Sequence, residues 1–243
     1  MMQNNPQEDQ NLIRINAYLA RAGVTTRKGA DSLIESGRVF INGKKAKLGD
    51  KVSPTDHIEV SGIELDRTQY VYYAYNKPVG IVTTGAQGGE KDIVKTTKFP
   101  VKVFPVGRLD KDSHGLIIMT NDGRITDRLL NPEFPHEKEY VVRTDKDFND
   151  AFLPKLMRGV KFDDYTTKPC KAKRIDDDVF SIILTEGKKR QIRKMCQVFG
   201  RTVRDLKRIR VMNIKLDTLA EGMYRPIEKD ELKKFLSLLE LEK

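Results

Sequence analysis

Three clusters of chemically capable side chains stand out in the 243-residue chain. The first lies in GRLDKDSHGLIIMT, where Asp110 and Asp112 sit among Arg108 and Lys111 and just ahead of an apolar run, Gly115 to Met119. A loop carboxylate anchored from behind by a buried strand, and partly desolvated, can serve as a general base or a nucleophile. The opposing reading is a surface ion pair that contributes little. Two carboxylates could also serve glycoside hydrolysis, but that chemistry needs a set separation in space that sequence does not supply. The second cluster is Lys138-Glu139-Tyr140, on an alternating segment that puts Lys138 and Tyr140 on one face. Tyr140 is either a core residue or a flat ring on which an extruded base could stack. The third is TEGKKRQIRKMCQVFG. On a helix, its Arg190, Arg193 and Lys194 occupy adjacent turns with no acid at i+4, which favours a surface facing a polyanion over a merely solvated one. Ile192, Cys196 and Phe199 would form its buried stripe.

The charge distribution strengthens the polyanion reading. The formal net charge is +10. Between Gly187 and Lys215 eleven basic residues face one acid, Asp205, a local excess equal to that of the whole chain. Nucleic acid and an anionic membrane surface are the two partners such an excess fits. The membrane is disfavoured because neither terminus carries a strongly amphipathic basic helix, and no apolar run approaches the ~20 residues of a bilayer span. The two cysteines, Cys170 and Cys196, stand far apart, which fits reduced thiols in a cytosol better than a disulfide scaffold. His57, His114 and His136 lack ligand spacing, so no metal site is expected. The polar, acid-containing N-terminus is unlike a secretory or mitochondrial leader, and the expected location is cytoplasmic.

These clusters require a scaffold, and the chain divides into a short tail (1–11), a small module (12–62), a polar linker (63–69) and a larger domain (70–243). In the module, RINAYLARAG has helical spacing and stops at Gly23. A second helix in TTRKGADSLIESG starts on Thr25 or Thr26 and ends at Gly37. A hairpin turns at Asn42-Gly43. Arg27 and Lys28 open the second helix, where its dipole does not favour them, so contact with phosphate is expected there. In the larger domain strands are predicted at VYYAYNKP, VGIVTT, GLIIMT, HEKEYVVRT and the pair TTKPCKAKRI/DVFSIILTEG. FPVGRLD reads as a loop. Helices are predicted in NDGRITDRLL, DFNDAFLPKLMRG, KKRQIRKMCQVFG and EKDELKKFLSLLELE, and TVRDLKRIRVMNIKL reads as extended. Strands outnumber helices without alternating with them, which predicts an α+β domain with a mixed, mostly antiparallel sheet flanked by helices.

In order along the chain, NKPVGIVTT, GRLDKDSHGLIIMTNDG, HEKEYVV and EGKKRQIRKMCQVFGRTVRDLKRIR resemble the bacterial pseudouridine synthases of the RsuA family. The segment RINAYLARAGVTTRKGADSLIESGRVFINGKKA is similar to the α-L, ribosomal-protein-S-four-like RNA-binding module that precedes the catalytic domain in that family. The likeness runs from about Ile13 to the last predicted helix. It implies a pseudouridine synthase fold, an isomerase, no cofactor and no metal. It implies Asp110 as the catalytic aspartate, Tyr140 as the ring packed on the target uracil, and Arg193 as the basic residue that pairs with Asp110. Arg108 would hold the opened RNA, and Ile183 or Leu184 would line the base pocket. Further RNA contacts are expected from Lys138, Lys188, Lys189, Arg190 and Lys194. The substrate implied is a stem-loop of large-subunit (23S) ribosomal RNA, as naked RNA or an assembly intermediate, acted on by a monomer. The alternatives are a synthase for another ribosomal or transfer RNA site, or a non-enzymatic ribosomal-RNA-binding or assembly factor with the same basic surface.

Overall fold

The computed structural model describes residues 12–21, 24–53, 56–61 and 70–241. The expected tail at 1–11, the linker at 63–69 and the helix stop at Gly23 lie outside the described residues. The chain forms two compact units, one from the residues up to Tyr70 with Asn121–Arg124, the other from Val71–Thr120 and Ile125 onward.

The first unit runs β1 (Ile13–Arg14), α1 (Ile15–Arg21), α2 (Arg27–Glu35), β2 (Val39–Ile41), β3 (Lys44–Lys45), β4 (Lys51–Val52) and β5 (Ile58–Val60). Thr26 is the cap of α2: its hydroxyl accepts the Gly29 N–H at 3.1 Å, satisfying a donor the first helical turn leaves orphaned. After the helix, Gly37 takes φ +67°, the left-handed geometry that ends helices at low cost. Asn42 and Gly43 are both at positive φ, as a tight hairpin between β2 and β3 requires. Ile15 and Leu19 of α1, Ala30 and Ile34 of α2, and Val39 and Val52 from the strands make the buried core of this unit.

The second unit is built on one sheet. Its elements are β6 (Tyr72–Lys77), α3 (Ile93–Thr96), β7 (Phe104–Val106), β8 (His114–Thr120), α4 (Arg124–Leu130), β9 (Lys138–Thr144), α5 (Phe152–Met157), β10 (Lys161–Phe162), β11 (Tyr165–Thr166), β12 (Lys171–Arg174), β13 (Val179–Leu184), α6 (Gln191–Val198), β14 (Val203–Val211), β15 (Ile214–Lys215), β16 (Tyr224–Pro226) and α7 (Lys229–Leu238). Hydrogen-bonded neighbours follow the order β12-β13-β9-β14-β8-β6-β16, with β15 beside β14 and β7 beside β8. Only β14 and β8 pair in parallel, so the sheet is mixed and mostly antiparallel.

β8 is central, and all seven of its residues are buried, which explains its unbroken apolar run. Its Gly115, at φ +105°, admits no side chain: a Cβ there would sit 2.3 Å from the Arg208 carbonyl oxygen on β14. One face of the sheet, with Tyr75, Ile117, Tyr140, Val142, Phe180, Ile182 and Leu184, is covered by Phe152 and Leu156 of α5 and by Ile192, Met195 and Cys196 of α6.

Two segments differ from expectation. VGIVTT is not a strand; beyond Gly80 at φ +87° its only ladder feature is a single bridge from Val82 to Asp92. Conversely, FPV within the expected loop FPVGRLD is β7, paired with β8. The segment 79–84 instead supplies hydrogen bonds to the loop that carries Asp110.

Candidate active site

Asp110 stands on the loop between β7 and β8, and the polypeptide around it is held unusually completely. Five consecutive carbonyl oxygens are each taken by a different donor. Leu109 O accepts the Thr83 hydroxyl at 2.8 Å, Asp110 O the Ser113 N–H at 3.1 Å, and Lys111 O the Gly80 N–H at 2.8 Å. Asp112 O accepts from Arg193 Nη2 at 2.8 Å, and Ser113 O from Lys77 Nζ at 2.7 Å. Thr83 acts twice, because its oxygen also accepts the Leu109 N–H at 3.0 Å. A loop with every carbonyl occupied resists displacement, so its side chains are presented from a rigid frame.

Lys77 lies behind this loop and is fully buried, its ammonium shared between Ser113 O and Pro78 O. Burial pushes its pKa down to about 8, with the nearby charges of Asp112 and Asp110 opposing the change.

The Asp110 carboxylate is about one-third exposed, and the nearest cation is Arg190, with Nη1 3.9 Å from Oδ2. Arg190 makes its closest bonds to Asp112, a two-pronged pair at 3.0 and 2.9 Å. The bond from Arg190 holds the Asp112 carboxyl below its usual range, against the effect of partial burial. Arg190 itself occupies the left-handed region at φ +55°, directly before α6. A non-glycine residue held there sustains local strain, a feature that concentrates at functional sites.

The expected pairing of Arg193 with Asp110 is corrected by this geometry. Arg193 is largely buried and donates to Val203 O at 2.9 Å, Asp112 O at 2.8 Å and Ser113 Oγ at 3.3 Å; its one ion pair among the described residues, at 3.4 Å, is with Asp112. It ties the loop to β14, and Arg190 supplies the charge beside Asp110. Helical spacing placed both arginines near the site, but could not foresee that the turn into α6 swings the earlier one onto the carboxylates.

Tyr140 lies in the covered face of the sheet, 9% exposed, opposite Ile182 on β13 and Arg208 on β14. Strand alternation separates the two base-pocket candidates. Leu184 shares the face of Tyr140 and Ile182, whereas Ile183 points to the other side. Lys138 also shares the Tyr140 face, and burial, aided by the charge of Arg208, pushes its pKa down to about 8.

The basic segment is not one continuous surface. Arg208 is buried and donates to Leu116 O at 2.6 Å, and Arg210 is bound by Glu139 at 2.7 Å and Glu137 at 3.0 Å. Lys194 is ion-paired with Asp163. Acids absent at i+4 are thus supplied by other elements. Arg108 and Lys189 are exposed and form no ion pair among the described residues, and Lys188 lies over the Tyr165 ring. Arg27 and Lys28 are exposed on the first turn of α2 in the other unit. The sequence reading missed Thr83 and Lys77; the signal for Lys77 was a lysine inside an otherwise apolar strand, followed directly by proline. Thr83 carried no signal at all.

Residues 71–198 match the family model described as RNA pseudouridylate synthase, and residues 13–58 match the S4 domain. The chain is 42% identical over 231 residues to the dual-specificity RNA pseudouridine synthase RluF of Escherichia coli, covering 94% of this chain and 80% of that protein. It is 33% identical over 234 residues to the ribosomal large subunit pseudouridine synthase B of Bacillus subtilis, covering 93% and 96%. A crystal structure of a pseudouridylate synthase superimposes with a TM-score of 0.68 at 28% identity, covering 91% of this chain and 99% of the other. With an ordered site loop, a matching fold and these likenesses together, the chain belongs to the RNA pseudouridylate synthases, as an RsuA-type member carrying an S4 domain.

Proposed function

We propose that this RNA pseudouridine synthase isomerises one specific uridine in a stem-loop of large-subunit (23S) ribosomal RNA, with Asp110 as the essential catalytic residue. The observation that carries the assignment of Asp110 is the loop itself: five successive carbonyls are occupied, and the partly exposed carboxylate faces Arg190 at 3.9 Å. The neighbouring Asp112 is the less suited of the two acids, because both its oxygens are taken by Arg190.

The reaction breaks the C1′–N1 bond of uridine, rotates the uracil and forms a C1′–C5 bond. A proton leaves C5 and N1 ends protonated, so atoms and electrons balance within the substrate and no oxidant or co-substrate is called for. Asp110 acts at the sugar or the base edge, with the Arg190 guanidinium 3.9 Å from its carboxylate. The target must first leave its stack at a cost of a few kcal/mol. Loop nucleotides, already splayed, lower that cost. In this reading the Tyr140 ring and Leu184 receive the uracil, while Arg108, Lys188 and Lys189 contact phosphate. Arg27 and Lys28 add affinity from the S4 unit, whose attachment raises the effective concentration of RNA. The large-subunit target is supported by the name of the Bacillus subtilis relative; the name of the Escherichia coli relative, a dual-specificity enzyme, makes a second RNA the competing reading.

The test is pseudouridine mapping on unmodified 23S, 16S and transfer RNA transcripts incubated with the wild-type chain or Asp110→Asn. A single wild-type-only site in 23S RNA is expected. A site made equally by Asp110→Asn would remove Asp110 from the mechanism, and modification confined to 16S RNA would remove the 23S assignment.

A further inference from the structure

Beside the site, the two-stranded hairpin β10–β11 presents two half-buried rings, Phe162 and Tyr165, with centroids 6.2 Å apart. Each ring carries an ammonium group. Lys188 Nζ lies 4.6 Å from the Tyr165 centroid and Lys194 Nζ 5.3 Å from that of Phe162. Both lysines come from the turn and helix that also bear Arg190 and Arg193. Lys161, Lys168 and Lys189 are exposed nearby in sequence and have no ion pair among the described residues.

A buried carboxylate joins this hairpin to the Arg190 turn. Glu186, 8% exposed, accepts the Tyr165 hydroxyl at 2.5 Å, the Lys168 N–H at 3.1 Å and Gln191 Nε2 at 2.6 Å. The Gln191 side-chain oxygen in turn accepts the Lys188 N–H at 2.9 Å. Glu186 and Gln191 therefore tie the Tyr165 hydroxyl to the 188–191 turn that carries Arg190. Lys194 is held by Asp163, which leaves Lys161, Lys168, Lys188 and Lys189 as the cations without an ion pair among the described residues. Aromatic rings interleaved with cations are the means by which proteins bind unpaired nucleotides, the ring taking the base and the cations the backbone.

We propose that the β10–β11 hairpin is a stacking platform for an unpaired nucleotide of the substrate RNA, next to the uridine held at Asp110. The proposal rests on the reading of the site as the uridine pocket. A surface lysine over a half-buried ring is held by only about 1 kcal/mol, so a base displaces the exposed Lys188 from Tyr165 and leaves its ammonium free to meet the adjoining phosphate. Phe162, partly buried and packed against the core, anchors the hairpin that carries Tyr165.

The experiment compares the full chain and its Tyr165→Ala variant by fluorescence anisotropy, using a labelled oligouridylate and an abasic oligonucleotide of equal length and charge. Wild type is expected to prefer the oligouridylate, and Tyr165→Ala to lose about tenfold of that preference. Tyr165→Phe, which keeps the ring and loses the bond to Glu186, is expected to match wild type. An unchanged preference in Tyr165→Ala overturns the proposal. So does an equal loss in Tyr165→Phe, which would assign the effect to the Glu186 bond. Pseudouridine formation by wild type on 23S transcript is read separately, so failure of the functional reading is distinguishable from failure of the platform.

Discussion

Thr83 offers the sharpest test of how Asp110 is held. Its hydroxyl donates to Leu109 O at 2.8 Å and accepts the Leu109 N–H at 3.0 Å, with Thr83 1% and Leu109 8% exposed. Thr83→Val preserves the side-chain volume and removes both bonds. Each orphaned buried backbone group costs about 1–3 kcal/mol, so a loss of about 3 kcal/mol is expected after partial relaxation. Against a total stability of roughly 5–15 kcal/mol the variant still folds, and with a urea slope of about 2 kcal/mol/M its midpoint falls by about 1.5 M. The loop is then free to shift, and a displacement of about 1 Å at a reacting group costs on the order of a hundredfold in rate. The assay is single-turnover release of tritium from C5 of labelled uridine in the mapped RNA, with saturating enzyme so that binding does not limit. Thr83→Ser, which keeps the hydroxyl, is expected to retain the wild-type rate within a few-fold. A wild-type rate in Thr83→Val, accompanied by the expected loss of stability, would refute the claim that this clamp positions Asp110.

The remaining tests address other parts of the frame. Lys77, titrating near 8 when folded and near 10.5 when unfolded, weakens the fold below about pH 8, because the buried chain must carry a proton it holds poorly. As pH rises from about 8 to 10.5 the folded state releases that proton first, so stability contributed through this group increases by about 3 kcal/mol. Urea unfolding near pH 7 and near pH 10 should show a rise larger by about that amount in wild type than in Lys77→Met; equal slopes would contradict it. Gly115→Ala places a Cβ 2.3 Å from the Arg208 carbonyl at φ +105°, and a loss of about 3 kcal/mol or more is expected by thermal unfolding; a wild-type midpoint would show that β8 and β14 part freely. Tyr140→Phe should retain most tritium release, whereas Tyr140→Ala should abolish it and, by opening a core cavity, cost about 3–5 kcal/mol. Full activity in the alanine variant would end the stacking role.

Local elements were legible wherever their determinants are neighbours in the chain. The Thr26 cap, the Asn42-Gly43 turn and the helix stop at Gly37 each depend on backbone dihedrals and hydrogen bonds spanning a few residues. The buried strand behind Asp110 was legible for the same reason, since a continuous apolar run declares its burial on both faces. VGIVTT misled because β-branched residues favour extension in general, whereas here Gly80 and Thr83 direct their hydrogen bonds to residues 109 and 111 instead of a neighbouring strand. Such an exchange is set by what lies across the fold.

The sequence by itself carried the resemblance to the family through four motifs in order, while residue type and short-range spacing were enough to specify the basic character and the presence of an acid on a strand-backed loop. Which arginine faces Asp110 was decided only in three dimensions. Arg190 and Arg193 are equally plausible on a helical wheel, but the left-handed turn at Arg190 directs one guanidinium to the carboxylates and the packing of α6 directs the other to backbone oxygens of the loop and of β14. The dispersal of the basic segment has the same origin: a charge excess is additive along a chain, whereas the exposure and pairing of each charge depend on which strand crosses behind it, and Arg208 and Arg210 were drawn inside by the sheet they help to build.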